Sequence, residues 1–325
     1  MTQHILVTGG AGYIGGAAVR LLLQHDFRVT VLDDLSRGHR ASVPPGAPLV
    51  VGDLGDARCL AQLFAANQFD AVMHFAAFAE VAESMRFPER YFRNNTAATL
   101  TLIEACLAHR VNKFVFSSSC AVFGVPDSVP IAEDGRKRPA NPYGQSKLQT
   151  EIMLDWFYRI HGLRYAVLRY FNAAGAWDGH GERHDPESHL IPNVLRAALG
   201  LAGPVPVCGT DYPTPDGTCV RDFVHIFDLA TAHLAVLNAL DAFAPHIYNV
   251  GTGTGFSVRQ VIASASRVCG GEVPFVDSPR RPGDPPVLVA SPAKIRSALN
   301  WTPGYTSLDS IVQSAWEWHS SYHPS

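Results

Sequence analysis

The fold of this chain follows from one stretch near its start, ILVTGGAGYIGG (residues 5–16). Its first four residues favour a β-strand, and the helical pattern of residues 17–24 follows directly. Glycines at positions 9, 12 and 15 let the turn close, let the backbone approach a pyrophosphate and let the helix pack on the strand. The helix N-terminus then faces the anion. The stretch therefore predicts strand, glycine turn and helix, with a dinucleotide bound at the turn.

A second strand-like run, RVTVL (28–32), ends at Asp33. A carboxylate at this distance beyond the glycine turn lies where the ribose hydroxyls of a dinucleotide are expected. It accepts hydrogen bonds from both hydroxyls and repels a 2′-phosphate. We therefore expect NAD, and not NADP, as the cofactor.

Strand-like and helix-like runs alternate through the first half of the chain, which predicts βαβ units and a parallel sheet covered on both faces. The predicted class is α/β, a Rossmann-type doubly wound parallel sheet with a smaller, interleaved C-terminal α/β domain. Proline, glycine and histidine become dense from about residue 172. We place the NAD-binding domain at residues 1–171, with 223–253 returning to it, and the substrate domain at 172–222 and 254–325.

Tyr143 and Lys147 lie in the run NPYGQSK (141–147). Asn141 is a good N-cap and Pro142 a good first helical residue, so a helix should begin there and carry positions i and i+4 on one face. A tyrosine loses its proton only near about pH 10 in water. We expect the ammonium to favour the phenolate and to move that titration toward neutral pH. Such a pair can act as general base and then as general acid.

Composition narrows the function classes. The chain has 325 residues, 47% of them hydrophobic, and a formal net charge of −3, which argues against a nucleic-acid or membrane-surface binder. No apolar stretch reaches the length of about 18 residues needed for a membrane span, and a strand begins too early to leave room for a signal peptide. The six cysteines form no Cys-x-x-Cys pair. We expect a cytoplasmic protein with reduced thiols.

One short run is rich in histidines and carboxylates, the side chains that commonly bind metals. It comprises His180, Glu182, His184, Asp185, Glu187 and His189. Both residue types are common metal ligands, but this spacing matches no compact coordination motif. The segment also lies where a substrate loop is expected, so we predict no metal.

Nearly the whole chain resembles the extended short-chain dehydrogenase/reductase family, and within it the nucleotide-sugar epimerases. The resemblance rests on the runs TGGAGYIG (8–15), HFAA (74–77), FSSS (116–119), YGQSK (143–147), LRYFN (168–172), GTDYPTPDGT (209–218), VRDFVH (220–225) and RRPGD (280–284). The first four are typical of the superfamily, and the last four are more specific for nucleotide-sugar epimerases. The resemblance implies tightly bound NAD⁺ and 4-epimerisation of a UDP-hexose through a 4-keto intermediate.

The resemblance also implies roles for individual residues. Tyr143 would be the catalytic base and acid, Lys147 would tune it and hold the nicotinamide ribose, and Ser119 would bond the reacting sugar oxygen. The implied cofactor contacts are Gly9, Gly12, Tyr13, Ile14, Gly15, Asp33, Asp53, Leu54, Phe75, Ala76, Ala77, Asn94, Tyr143, Lys147 and Tyr170. The implied UDP-sugar contacts are Asn172, His189, Leu190, Arg221, Arg281, Asp284 and Leu288.

The sequence leaves the sugar open. A hexose, a pentose or an N-acetylhexosamine fits one scaffold. Leu288 stands where the family varies between a bulky tyrosine and smaller residues that admit an N-acetyl group at C2. A non-catalytic NAD-sensing or nucleotide-sugar-sensing protein is the alternative from another class, although Tyr143 and Lys147 argue against it. The resemblance further suggests a homodimer with Trp156 and Phe157 at a helical interface.

Overall fold

The computed structural model describes residues 2–241, 246–281 and 284–321. The strands are, in chain order, β1 (His4–Thr8), β2 (Arg28–Asp33), β3 (Leu49–Val51), β4 (Ala71–His74), β5 (Lys113–Ser119), β6 (Arg164–Tyr170), β7 (Asn172–Ala174), β8 (Val205–Cys208), β9 (Val220–His225), β10 (His246–Val250), β11 (Gly255–Ser257), β12 (Phe275–Ser278) and β13 (Val287–Leu288). The helices are α1 (Tyr13–Gln24), α2 (Ala57–Ala66), α3 (Val81–Arg86), α4 (Pro88–Tyr91), α5 (Ala98–Ala108), α6 (Pro142–His161), α7 (Leu190–Ala198), α8 (Ile226–Ala239), α9 (Val258–Cys269), α10 (Ala293–Leu299) and α11 (Leu308–Ser321).

The main sheet has seven strands in the order β10-β6-β5-β4-β1-β2-β3. β1 pairs in parallel with both β2 and β4, β2 with β3, and β4 with β5. The strand order therefore reverses between β1 and β4, and ligands of such sheets bind beyond the carboxyl ends of the strands at that point. The doubly wound α/β fold predicted from the sequence is confirmed.

Local sequence explains the ends of the longest helix. Asn141 caps α6, its side chain accepting a 2.8 Å hydrogen bond from the Gly144 amide, and Pro142 is the first helical residue. Gly162 ends the helix in the left-handed conformation with φ of 70°. The helix start at Asn141, predicted from its capping residues, is confirmed.

The sequence from about Pro88 to His109 predicts one long helix, and the structure interrupts it. A π-helical turn at Phe92–Ala97 separates α4 from α5. This turn carries the buried Asn95, whose side chain exchanges two 2.9 Å hydrogen bonds with the backbone of Phe78 and donates to Ser146 of α6. The π-helical turn therefore positions the hydrogen-bonding side chain of Asn95, which the regular spacing of apolar residues along the sequence does not predict.

The chain divides into two compact units, the first made of residues 1–125, 136–169 and 230–248. The stretch that returns to it is shorter than the predicted 223–253. The second unit contains 126–135, 170–229 and 249–325. It has a sheet of order β11-β9-β13, with β7 also beside β9, and a pair β12-β8.

The sequence from Val224 to Asn238 predicts a helix, and α8 begins at Ile226, but strand β9 directly before it was not predicted. The reason is Asp222, a fully buried carboxylate in mid-strand. It accepts hydrogen bonds from the amides of Thr252, Gly253 and Ala290 and from the Thr252 hydroxyl. These partners are distant in sequence. A charged residue whose partners are not nearby in the sequence is not typical of a buried strand, so the sequence did not predict β9. In the described ranges no helix is long and apolar enough to cross a membrane.

Candidate active site

The glycine turn joins β1 to α1 as predicted. Gly9 has φ of +74°, and a Cβ there would lie 2.5 Å from the backbone nitrogen of Ala76. Only glycine fits so close an approach of two backbones. Gly12 is the N-cap of α1 and supplies no side-chain cap, so the first amides of the helix remain available for an anion. Tyr13, Ile14 and Gly15 form the first turn of that helix.

Asp33, the last residue of β2, is 7% exposed. Its two carboxylate oxygens accept hydrogen bonds from the amide of Ala11 in the glycine turn, at 3.0 Å, and from the amide of Leu35, at 2.9 Å. Burial raises the pKa of the carboxyl, and the two amides oppose that shift. The carboxylate is thus fixed beside the turn, where a ribose would meet it.

Most of the other predicted cofactor residues lie at the carboxyl ends of strands of the main sheet. Asp53 and Leu54 follow β3, and Asp53 accepts a 2.8 Å hydrogen bond from Gly55. The half-buried run Phe75, Ala76 and Ala77 follows β4, Asn94 lies in the π-helical turn, and Tyr170 ends β6.

Lys147 sits one helical turn after Tyr143 and is only 4% exposed. Its Nζ donates a 2.7 Å hydrogen bond to the carbonyl oxygen of Ser117 and lies 5.0 Å from the centre of the Phe116 ring and 6.0 Å from that of Tyr143. The Ser119 hydroxyl is hydrogen-bonded to the Tyr143 side chain. The three predicted catalytic residues therefore meet where β5 ends and α6 begins.

The pKa values of this group differ from the expectation drawn from the sequence. Burial raises the pKa of Tyr143 to about 12, more than the hydrogen bond from Ser119 lowers it. Burial also lowers the pKa of Lys147 to about 7, although Glu151 opposes that shift. Desolvation of the phenolate is the largest influence on the pKa of Tyr143, so the spacing from Lys147 alone does not bring this pKa close to neutral.

Sequence reasoning missed a buried ion pair beside the predicted catalytic residues. The guanidinium of Arg169, 1% exposed, bonds both oxygens of Glu151, 5% exposed, at 3.0 and 2.7 Å. Ser118 donates a 2.6 Å hydrogen bond to the same carboxylate. Glu151 lies four residues after Lys147 on α6, so its spacing on the catalytic face was the available signal. The pair ties α6 to the strands that carry Ser119 and Tyr170.

In the second unit, β9 carries Arg221 between neighbours that hold other predicted substrate residues. Arg221 and Leu288 are register partners in β9 and β13, and Asn172 pairs with Phe223 further along β9. One Arg221 nitrogen donates 2.9 Å hydrogen bonds to the carbonyls of Val220 and Pro285, and another lies 3.6 Å from Asp284. The structure thus brings Arg221, Asp284 and Leu288 together, while Arg281 is exposed.

His189 is the N-cap residue of α7, and Leu190 is the first residue of that helix. The Nδ1 of His189 lies 2.7 Å from Glu182 and 3.2 Å from Glu187, and the Nδ1 of His184 lies 2.8 Å from Glu182. Burial disfavours the charged form of both Glu182 and His189. The two histidines nevertheless hold the pKa of Glu182 below its usual value, and Glu182 and Glu187 hold the pKa of His189 well above its usual value. Of the six residues in the sequence run, these four form one group.

Comparisons with known proteins agree with this geometry. Residues 5–251 match the model of the NAD dependent epimerase/dehydratase family. A UDP-glucose 4-epimerase of Streptococcus mutans is 48% identical over 323 residues, which cover 98% of this chain and 97% of that protein. The structure of UDP-glucose 4-epimerase from Brucella ovis in complex with NAD has 43% identity and a TM-score of 0.94, covering 97% of this chain and 98% of that one. The enzyme from Bifidobacterium longum in complex with NAD⁺ and UDP has 36% identity and a TM-score of 0.93, covering 98% of both chains.

The chain therefore belongs to the NAD-dependent epimerase/dehydratase family, and its cofactor is NAD. It is an enzyme of the epimerase type, and the relatives described above, similar over nearly its full length, are UDP-glucose 4-epimerases. The resemblance drawn from the sequence motifs is confirmed.

Proposed function

We propose that the protein interconverts UDP-galactose and UDP-glucose by inverting carbon 4 of the sugar. The observation that carries this proposal is the meeting of Ser119, Tyr143 and Lys147 in the same unit as the glycine turn. A proton carrier with a hydrogen-bonding partner is what oxidation and re-reduction of a sugar hydroxyl need. The full-length similarity to UDP-glucose 4-epimerases supports the choice of substrate.

Several residues of the first unit fit the cofactor. The amides at the start of α1, open because Gly12 offers no cap, suit the pyrophosphate, and the Asp33 carboxylate suits the ribose hydroxyls. Lys147 would hold the nicotinamide ribose. When bound, NAD⁺ supplies the hydride acceptor for C4 and later the donor.

Tyr143 moves the proton. As phenolate it takes the proton of the sugar 4-hydroxyl while C4 gives up its hydride, and the two losses together leave a 4-keto sugar. Tyr143 returns the proton when the hydride comes back to the opposite face of C4. Ser119 holds the reacting oxygen beside it. Proton and hydride both return, so the reaction has no net redox change and the cofactor needs no exchange.

The nucleotide diphosphate would be held by the second unit. Arg221 and Arg281 suit its phosphates, since guanidinium groups pair two oxygens at once. Asn172, His189, Leu190 and Asp284 would complete the nucleotide site. Binding energy spent on the nucleotide leaves the sugar loose enough to turn its other face.

Leu288 bears on the choice of sugar. It is half-buried and in register with Arg221. Its size is intermediate between a tyrosine and the small residues that admit a C2 N-acetyl group. The rates on UDP-galactose and UDP-N-acetylgalactosamine show whether the site accepts a C2 N-acetyl group. A rate on the N-acetylated sugar far below the rate on UDP-galactose would mean that the enzyme acts on hexoses and excludes N-acetylhexosamines.

We also propose that the protein is a cytoplasmic homodimer. On α6, Ile152, Trp156 and Ile160 are 51, 55 and 66% exposed at intervals of four residues, an apolar stripe suited to a second copy. Phe157 packs against the core of its own unit instead. The six free cysteines fit a reducing compartment.

The decisive experiment is incubation of purified protein with UDP-galactose and no added cofactor, with UDP-glucose detected by a coupled dehydrogenase. Tyr143→Phe should reduce turnover about 10²- to 10⁴-fold, the usual contribution of a general acid–base residue. Tyr158→Phe, on the same helix, should leave it unchanged. No turnover by the unaltered protein, even with added NAD⁺, would reject this substrate pair and direct the assay to UDP-pentoses and N-acetylated sugars.

A further inference from the structure

An ion pair joins two connections that leave the carboxyl edge of the main sheet. Arg37 lies in the connection after β2, and Glu83 lies in α3, which follows β4. One guanidinium nitrogen of Arg37 donates to both carboxylate oxygens of Glu83, at 3.0 Å each. β2 and β4 are the two neighbours of β1 in the sheet. The pair therefore links the connections that lie on either side of the glycine turn after β1.

Both connections also contact the glycine turn. On the β2 side, the amide of His39 donates a 3.0 Å hydrogen bond to the carbonyl oxygen of Ala11. A Cβ at Gly38 would lie only 2.9 Å from the Cβ of Ala11, so this connection packs directly on the turn. On the β4 side, the amide of Ala76 donates a 3.1 Å hydrogen bond to the carbonyl oxygen of Thr8, where the turn begins. The turn, the two connections and the ion pair thus form a closed ring of contacts.

Glu83 is held more firmly than a typical surface carboxylate. Its side chain is 19% exposed, and it also accepts a 2.7 Å hydrogen bond from Arg90 and a 2.9 Å hydrogen bond from the hydroxyl of Tyr91. The guanidinium groups of Arg37 and Arg90 lie 5.6 and 5.2 Å from the centre of the Phe78 ring. An ion pair contributes more within such a network than as an isolated surface contact.

We propose that the Arg37–Glu83 pair retains the bound dinucleotide by holding this ring closed. The inference rests on the cofactor placement proposed above, with the pyrophosphate at the glycine turn and a ribose at Asp33. The dinucleotide would then leave only when the connection after β2 separates from α3, which breaks the ion pair. The two residues act on the rate of cofactor release and take no part in proton transfer. Retention suits a reaction that returns its hydride to the sugar and needs no exchange of cofactor.

The test measures how fast the cofactor leaves the protein and makes no use of the sugar reaction. Protein loaded with NAD⁺ is mixed with an excess of alcohol dehydrogenase and ethanol, which reduce released NAD⁺, and the absorbance of NADH gives the release rate. We expect Arg37→Met and Glu83→Gln each to release NAD⁺ about tenfold faster than the unaltered protein, because lost contacts act mainly on dissociation. Arg164→Met removes a guanidinium of similar exposure that pairs with Asp241 at the start of β6, and it should leave the release rate unchanged.

A double variant distinguishes a bridge between the two connections from a direct contact with the cofactor. If the two side chains act through each other, Arg37→Met combined with Glu83→Gln should release NAD⁺ no faster than either single variant. If Arg37 instead binds the cofactor itself, Glu83→Gln would not speed release, and that result would overturn the proposal. Equal release rates in the unaltered protein and in Arg37→Met would overturn it as well.

A further variant covers the case in which Glu83→Gln does not fold. The Arg37 side chain is 35% exposed, so Arg37→Glu should fold, and it places two carboxylates opposite each other. We expect it to release NAD⁺ faster than Arg37→Met, and release as slow as from the unaltered protein would contradict the proposal. The assay does not involve a nucleotide sugar, so its outcome stands whether or not the protein epimerises UDP-galactose.

Discussion

The Nζ of Lys147 donates a 2.7 Å hydrogen bond to the carbonyl oxygen of Ser117. The bond joins the catalytic face of α6 to the end of β5, two residues before Ser119. It also holds a cation in a position so buried that the pKa of the lysine falls to about 7. The lysine is thus held in place by the strand that carries Ser119.

Removal of this cation should shift the pH dependence of catalysis. Without the ammonium the phenolate of Tyr143 loses a stabilising charge, so its pKa rises and the active form needs a higher pH. For Lys147→Met we expect kcat/KM near pH 7 to fall about 10- to 100-fold and to recover as the pH rises, because such a charge is worth about 1–2 pKa units.

A pH–rate profile measures this effect. Lys113→Met, at the other end of β5, removes an ammonium that pairs with Asp241 and should leave the profile in place. A uniform loss at every pH in Lys147→Met would show that the lysine only binds cofactor and does not tune the tyrosine.

Asp33 should determine the choice between NAD and NADP. Asp33→Asn removes the charge that repels a 2′-phosphate, and it keeps one of the two acceptor oxygens that bond the Ala11 and Leu35 amides. We expect weaker NAD⁺ binding and at least a tenfold gain in the relative affinity for NADP⁺, measured by titration of cofactor-stripped protein. Asp34→Asn, on the exposed neighbour, is the control. An unchanged preference would mean that another residue contacts the ribose.

The buried Arg169–Glu151 pair should contribute more to the free energy of unfolding than the exposed pair on the same helix. Arg169→Met leaves the Glu151 carboxylate buried without its main partner, which typically lowers the free energy of unfolding by about 3–5 kcal/mol. Asp155→Asn breaks the more exposed Arg159–Asp155 pair, and the expected change is below about 1 kcal/mol. Urea unfolding of both variants compares the two, and equal losses would contradict the importance of burial.

The apolar stripe on α6 should decide the oligomeric state. Trp156→Glu combined with Ile160→Glu places two charges in the proposed contact, and we expect light scattering to report a monomer where the unaltered protein is a dimer. Leu201→Glu, a 67% exposed position in the second unit, should not change the mass. A dimer that survives the double substitution must use another surface.

Local patterns carried most of what the sequence could predict. The glycine turn, the carboxylate that ends β2 and the capped start of α6 each lie within a few consecutive residues, so their geometry follows from neighbours along the chain. The strand order follows from the alternation of strands and helices, together with the reversal common to doubly wound sheets.

Long-range polar partners could not be predicted in this way. Glu151 finds Arg169 and Ser118, and Asp222 finds the amides after β10, only once the chain has folded. The shift in the pKa of Tyr143 has the same origin, because burial is a property of the whole fold and a spacing of four residues does not reveal it. The grouping of Glu182 with His189 likewise depends on a turn that the linear spacing hides.

The chain passes between its two units after residues 125, 135, 169, 229 and 248. No single cut in the gene therefore separates one unit from the other. One recombination event could therefore not exchange the whole second unit, and we expect a new sugar preference to arise through point changes at positions such as Leu288, which we propose to lie at the sugar. The threading of the backbone thus limits how this enzyme can evolve.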